Sequence, residues 1–331
     1  MIRCIRLGHG DIDPMLINYE FVNSLTGGSG KKIFIGDSNN KTCRFCNRDS
    51  TQTTFRKKAH LIPELTGNKL FFSNFECDSC NSIFSKYEDS FANFGGIINT
   101  LSMIKGKRGI PKYKGNKGSF EAFVQDGAVQ LMLTHPEGSS SLSRDEFLMS
   151  HDAVKVDRKN NKLHFNTEKT SYIPQDVLKV FVKIGYSMLS NEEVLKYDLT
   201  RKWLINEFDT EPDSPHPLLF LVRRVGGSKY FKHPLAFLAK RRYKRENYPC
   251  PEHTLILFYG VFAYQIFLPF NYDEKWLLGF EEIQMPIMND LAKVAVDANN
   301  ITVSVDTVDL SSKERKKGKD NFSVDLKEDD L

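Results

Sequence analysis

No run of about eighteen apolar residues, the length that a membrane-spanning helix needs, occurs in this 331-residue chain. Its first residues, Met1-Ile2-Arg3-Cys4-Ile5-Arg6, lack the long apolar core of a secretory signal. The expectation is a cytoplasmic protein without a membrane partner. Cysteine is scarce: of six, four fall into two C-x-x-C pairs and only Cys4 and Cys250 stand alone. That usage speaks against a disulfide framework and for metal-bound thiolates in a reducing compartment. A large excess of one charge is also missing. The formal net charge of +4 excludes a uniformly basic, histone-like binder, so any nucleic-acid contact has to come from local patches. No internal repeat is visible. What remains is 40% hydrophobic and 12% aromatic, enough to pack a core, at a length suited to about two domains.

The two pairs are Cys43-Arg44-Phe45-Cys46 and Cys77-Asp78-Ser79-Cys80. Each places two sulfurs on one tight knuckle, and two facing knuckles supply the four soft, tetrahedral ligands of a structural zinc ion. The thirty residues between them exceed the gap of a simple four-cysteine ribbon and carry Ala59-His60-Leu61-Ile62-Pro63-Glu64. The composition predicts a strand near Thr54 to His60, a turn at Thr66-Gly67-Asn68 and a strand from Leu70 to Glu76. A helix follows from Asn81, with Phe84, Tyr87 and Phe91 forming one apolar stripe.

Before this segment, residues 1–40 read as an N-terminal extension in which Lys32-Ile33-Phe34-Ile35 is a strand candidate and His9 a free histidine. The metal segment occupies 41–95, and the glycines and lysines of 96–118 read as a basic linker. A larger α+β domain is expected over 119–310. Within it, Asp126-Gly127 and Asn160-Asn161 mark hairpin turns, and a central amphipathic helix begins near Pro174 with Val177, Leu178, Phe181, Val182, Ile184, Met188 and Leu189 on its apolar face. Leu218 to Val225 and Thr254 to Leu268 have strand composition. The charged tail, 311–331, has almost no apolar residue in its first half and is expected to be disordered. The predicted class is α+β throughout.

The strand-turn-strand-helix between the knuckles resembles the ββα-metal module of HNH endonucleases, in the branch flanked by two C-x-x-C pairs. The resemblance covers about residues 43–92 and implies metal-dependent hydrolysis of phosphodiester bonds in DNA, with RNA as an alternative. It implies that His60 is the general base on water, that Asn74 orients the base or the turn, and that Asn81 binds a catalytic divalent ion, Mg2+ or Mn2+, beside the structural Zn2+. A single imidazole titrating near working pH suits the first role, and a hard, oxygen-ligated ion suits the last. Asn81, Ser85 and Glu88 recur at helical spacing, which makes Glu88 a second ligand or an ordinary solvated residue; Glu64 is the competing donor. Many such sites have an aspartate directly before the base, where this chain has Ala59.

Two basic runs complete the reading. Lys107 and Arg108 follow the metal segment, and Lys240, Arg241, Arg242, Lys244 and Arg245 interleave with aromatic residues as a phosphate-contacting surface does, or else form a solvated face. The larger domain would then bind substrate or an activating ligand or protein. The resemblance further suggests an antiphage or restriction effector.

Overall fold

The computed structural model describes residues 13–27, 30–115, 118–134, 151–209, 216–226, 230–245, 247–291, 293–297 and 300–325. Cys4 and His9 lie outside them. The chain divides into two compact units: Met1–Glu88 with Pro174–Lys313, and Asp89–Ile173 with Glu314–Leu331. This differs from the sequence-based partition. The metal segment up to Glu88 is part of the same unit as most of the larger domain, while the expected linker and tail join the other unit.

In the first unit, a short helix α1 (Pro14–Asn18), capped by Asp13, leads into β1 (Tyr19–Leu25), followed by β2 (Ile33–Ile35), β3 (Ala59–His60) and β4 (Phe71–Ser73). Helix α2 (Asp78–Leu101) follows, and the division between the units falls inside it. The second unit continues with β5 (Tyr113–Gly115), β6 (Phe120–Gln125), β7 (Ala128–Leu133), β8 (Val154–Asp157) and β9 (Lys162–Glu168). The first unit resumes with α3 (Pro174–Met188), α4 (Asp198–Leu204), β10 (Phe220–Val225), β11 (Phe231–Arg241), β12 (His253–Gly260), β13 (Phe262–Phe267), β14 (Lys293–Asp297), β15 (Asn300–Ser304) and β16 (Asp306–Asp309). Strand β17 (Lys319–Asp325) returns to the second unit.

The core of the first unit is a six-stranded sheet in the order β1-β11-β12-β13-β10-β16, antiparallel throughout. Every residue of β12 and β13 is buried, which means that both faces of the sheet are covered. One face takes α3, where Phe181 meets the ring of Tyr264 at 4.9 Å and Gly185 leaves room for Leu268 and Leu255. The opposite face packs Ile256, Phe258 and Phe267 against Met15, Met285 and Ile287. Helix α3 starts at the predicted proline but is buried all round, Lys179 and Lys183 included. A helix whose polar stripe is also covered lies in the middle of a core, and its lysines need partners there.

In the second unit the hairpins fall where the turn residues placed them. Asp126 and Gly127 both have positive φ between β6 and β7, and Asn161 does the same before β9. The stretch expected to be a linker is instead helical through Leu101, with one break at Gly96, whose φ of 56° and lack of a Cβ admit the Asp320 carboxylate. The expectation of a disordered tail fails over Lys319–Asp325. These residues pair along the whole of β9, Phe322 stacks on Phe165 at 4.8 Å, and Asp320 forms a buried 2.9 Å ion pair with Lys169. A few well-placed partners thus offset the ordering entropy that composition alone said the tail could not meet. Among the described residues no helix is long and apolar enough to cross a membrane.

Candidate functional site

The two knuckles converge as their spacing predicts. The sulfurs of Cys43, Cys46, Cys77 and Cys80 lie within 4.8 Å of one another, and Cys46 and Cys77 are 3.7 Å apart. Four sulfurs at about 2.3 Å from a tetrahedral zinc ion sit about 3.8 Å from each other, so the donor set fits zinc in both chemistry and spacing. The thiols also depend on one another: a hydrogen bond from Cys80 holds Cys43 down at about 5, and burial pushes Cys46 up to about 11. Four sulfurs this close cannot all ionise without a cation among them.

The residues between the cysteines lock the knuckles in place. Arg44 donates to the carbonyls of Ser187 and Leu189, at 3.1 and 2.9 Å, capping the end of α3, and to Asn191 at 2.8 Å. Phe45 is fully buried, with its ring edge-on to Phe84 at 4.6 Å and 5.6 Å from Tyr186. In the second knuckle, the Asp78 carboxylate accepts from the backbone of Arg56 and Lys57 and from the Thr54 hydroxyl, at 3.1, 2.8 and 2.5 Å. Those backbone groups are therefore committed to a side chain, and the predicted long strand contracts to the two residues of β3.

Within this frame a small sheet of order β2-β4-β3 carries the candidate base. His60 pairs with Phe72 across the ladder, and the two rings are 4.7 Å apart. The imidazole keeps 24% of its surface exposed, and its Nε2 lies 3.6 Å from Glu64 Oε2. The other Glu64 oxygen binds Lys69. From below, Lys183 Nζ donates to the His60 carbonyl at 2.6 Å and pairs with buried Glu76 at 2.9 Å. Burial pushes Glu76 up from the usual carboxylate range, and Lys183 pulls it back.

Asn81 lies in the first turn of α2, its N–H bonded to Cys77 O at 2.9 Å. Its neighbour Ser82 receives Lys57 Nζ at 3.2 Å, so the start of the helix and the approach to His60 are tied together. Glu88 stands two turns further along the same face and is half-buried. Asn74 is tied to the edge strand β2. It lies beyond β4, donating to Gly36 O at 3.1 Å with its own N–H on Ile35 O, and so anchors β2. The turn is instead organised by Asn68, fully buried: its Nδ2 donates to Ile62 O and Phe71 O at 2.6 and 2.9 Å, while its Oδ1 accepts from Leu70 and Phe71 N–H at 3.0 and 2.9 Å. The only sequence signal for this was the turn tripeptide Thr66-Gly67-Asn68.

The basic run after residue 239 is divided: Lys240 and Arg241 are committed to partners within the fold, whereas Arg242, Lys244 and Arg245 are exposed. Arg241 is buried against Glu274 at 3.2 Å, and Lys240 binds Glu193 at 2.7 Å. Each already neutralises a carboxylate within the fold. Glu193 in turn accepts from buried His253, whose other ring nitrogen meets the Tyr197 hydroxyl at 2.9 Å. Arg242 binds Glu20 and the Tyr19 carbonyl, Lys244 rests on the Trp276 ring and Arg245 on Tyr243. Lys107 and Arg108 are exposed in a tight turn of the second unit, closed by Gly106 and Gly109. The run overlooked by sequence reasoning surrounds the base itself: between Gly30 and Cys77 there are nine lysines and arginines against four acids.

Residues 43–94 match the family model for HNH endonucleases. The match covers the knuckles, strands β3 and β4 of the small sheet and most of α2, and it supports a nuclease domain of the HNH kind in this chain. No curated protein and no solved structure matches it.

Proposed function

We propose that the chain is a metal-dependent endonuclease of the HNH type that hydrolyses phosphodiester bonds in DNA, with His60 as general base and Asn81 as an oxygen donor to a divalent ion. The observation that carries this is the mounting of His60. Its backbone is fixed by β4 on one side and Lys183 on the other, while its ring remains open to solvent beside a carboxylate.

Neutral imidazole takes a proton from the attacking water, and Glu64, 3.6 Å from Nε2, stabilises the imidazolium that results. The remaining donors are hard oxygens: Asn81, with Glu64 or Glu88. They suit Mg2+ or Mn2+, which would supply neutralisation of charge on the phosphate and the leaving oxygen. The thiolate-bound zinc has a full shell and serves the fold. An antiphage or restriction role in the cytoplasm is the setting this reading favours, with the rest of the chain meeting an activating ligand or protein.

The test is plasmid cleavage by wild type and His60→Ala in magnesium, manganese and chelator. The variant should lose about 10²- to 10⁴-fold in rate while keeping its zinc content. Undiminished cleavage by the variant would remove His60 from the mechanism. A second reading, nucleic-acid binding without cleavage, is favoured by Ala59, which is buried and offers no ligand where many HNH sites have an aspartate. Salt-dependent binding with no cleavage in any divalent ion, and none after adding phage extract, would establish it.

A further inference from the structure

Phe34, Phe72 and His60 form one row across the three strands of the small sheet. The register sets Phe34 beside Phe72 and Phe72 beside His60. The two phenyl rings are stacked, 5.1 Å apart with their planes at 22°. Phe72 is 4% exposed but Phe34 is 44% exposed, because β2 is the edge of the sheet and no described strand lies beyond it. One face of the Phe34 ring therefore rests on Phe72, and nearly half of the residue remains exposed. An exposed phenylalanine is ordinary by itself. This one stands about 10 Å from the base, two strand spacings along a continuous aromatic row.

Cations border the row. Lys32, just before β2, holds its Nζ 5.5 Å from the centre of the Phe72 ring, and Lys31, Arg56 and Lys58, near β2 and β3 in sequence, are exposed. An open aromatic face among cations is how proteins hold single-stranded nucleic acid: the rings take base faces and the cations take phosphates. Inside a duplex both faces of a base are covered by its neighbours, and reaching such a platform requires unstacking.

We propose that Phe34 is a stacking platform for an unpaired nucleobase next to the phosphodiester bond presented to His60, so that the substrate is single-stranded or locally unpaired nucleic acid. The location of the bond rests on the nuclease reading above; the platform does not. Phe34 selects for unstacked nucleotides, Lys32 holds the adjoining phosphate, and Phe72 keeps both in line with the imidazole.

The experiment measures the affinity of the full chain for a labelled oligothymidylate, for an abasic deoxyribose-phosphate oligomer of equal length, and for a duplex, without added divalent ions. Phe34→Leu keeps an apolar side chain on Phe72 and loses the aromatic face; Phe34→Trp keeps both. Zinc content and circular dichroism verify that each variant is folded. Phe34→Leu should bind oligothymidylate about 5- to 150-fold more weakly and the abasic oligomer unchanged, while Phe34→Trp retains affinity. Equal losses on both oligomers, or no loss on either, would overturn the platform. So would a Phe34→Leu variant that binds normally but no longer self-associates, which would make the ring an interface between copies. Cleavage is scored separately. Loss of cleavage in His60→Ala with unchanged binding in Phe34→Leu rejects the platform and leaves the nuclease. Weakened oligothymidylate binding in a chain that cleaves nothing rejects the nuclease and supports the platform.

Discussion

Replacing Lys183 by methionine removes the cation that pairs with Glu76 in the interior and the donor that holds the His60 carbonyl. Both side chains are buried, so Glu76 is left without compensation, and breaking a buried pair from one side costs about 3–5 kcal/mol. A further Glu76→Leu exchange removes the stranded carboxylate and should recover most of that loss. A residue of about 1–3 kcal/mol remains, for the carbonyl that no longer has its donor. The deficit has a sign in pH. Burial already raises the Glu76 pKa, and losing Lys183 raises it further. A carboxyl whose folded pKa exceeds its unfolded value favours the folded state at low pH and loses that contribution as pH rises through the folded value. Lys183→Met should therefore be closest to wild type near pH 5 and furthest from it near pH 8. Urea unfolding with zinc present, at both pH values, reads the stability, and plasmid nicking reads the site. Cleavage should stay low in the double variant, by up to about 100-fold, because misplacing a reacting group by about 1 Å costs that much. If the stability losses of the two exchanges simply add, or if the double variant regains cleavage together with stability, this account of Lys183 is wrong.

Asn68→Ala removes all four hydrogen bonds of the turn at once and leaves buried backbone groups unmet, so it should cost about 2–4 kcal/mol in urea unfolding; Asn68→Asp, which keeps the acceptor but not the donors, should recover only part. His216 is half-buried beside the ring of Phe270, and desolvation lowers its pKa to about 4. A base whose folded pKa is depressed stabilises the fold above its unfolded pKa, about 6.5, and that contribution is lost as pH falls toward 4. His216→Phe should flatten the decline of Tm between those values.

The parts of the site legible in the sequence are those set by local spacing. Two C-x-x-C pairs dictate a knuckle each, a histidine before Leu61-Ile62-Pro63 marks a strand end, and Asp126-Gly127 and Asn161 supply the positive φ that their turns need. What stayed hidden depends on partners far along the chain. Thr54 to Lys57 read as strand until Asp78 claims their donors. Lys183 looked like part of the polar side of an amphipathic helix and supports a histidine 123 positions away. Arg241 and Lys240 looked like a phosphate surface because the sequence does not display Glu274 and Glu193 beside them. Asn74 and Asn68 flank the same strand and offer the same amide, and only burial separates the anchor of an edge from the organiser of the turn.

The ion pair beneath the histidine also imposes an order on biogenesis. Both cysteine knuckles and the histidine have been translated by residue 80, yet Lys183 follows a hundred residues later, a lag of about 5–20 s at ordinary elongation rates. Throughout that interval Glu76 awaits its counter-charge and the His60 carbonyl its donor. A nascent or prematurely terminated product that stops short of Lys183 thus leaves the mounting of His60 incomplete even where all four thiols are in place.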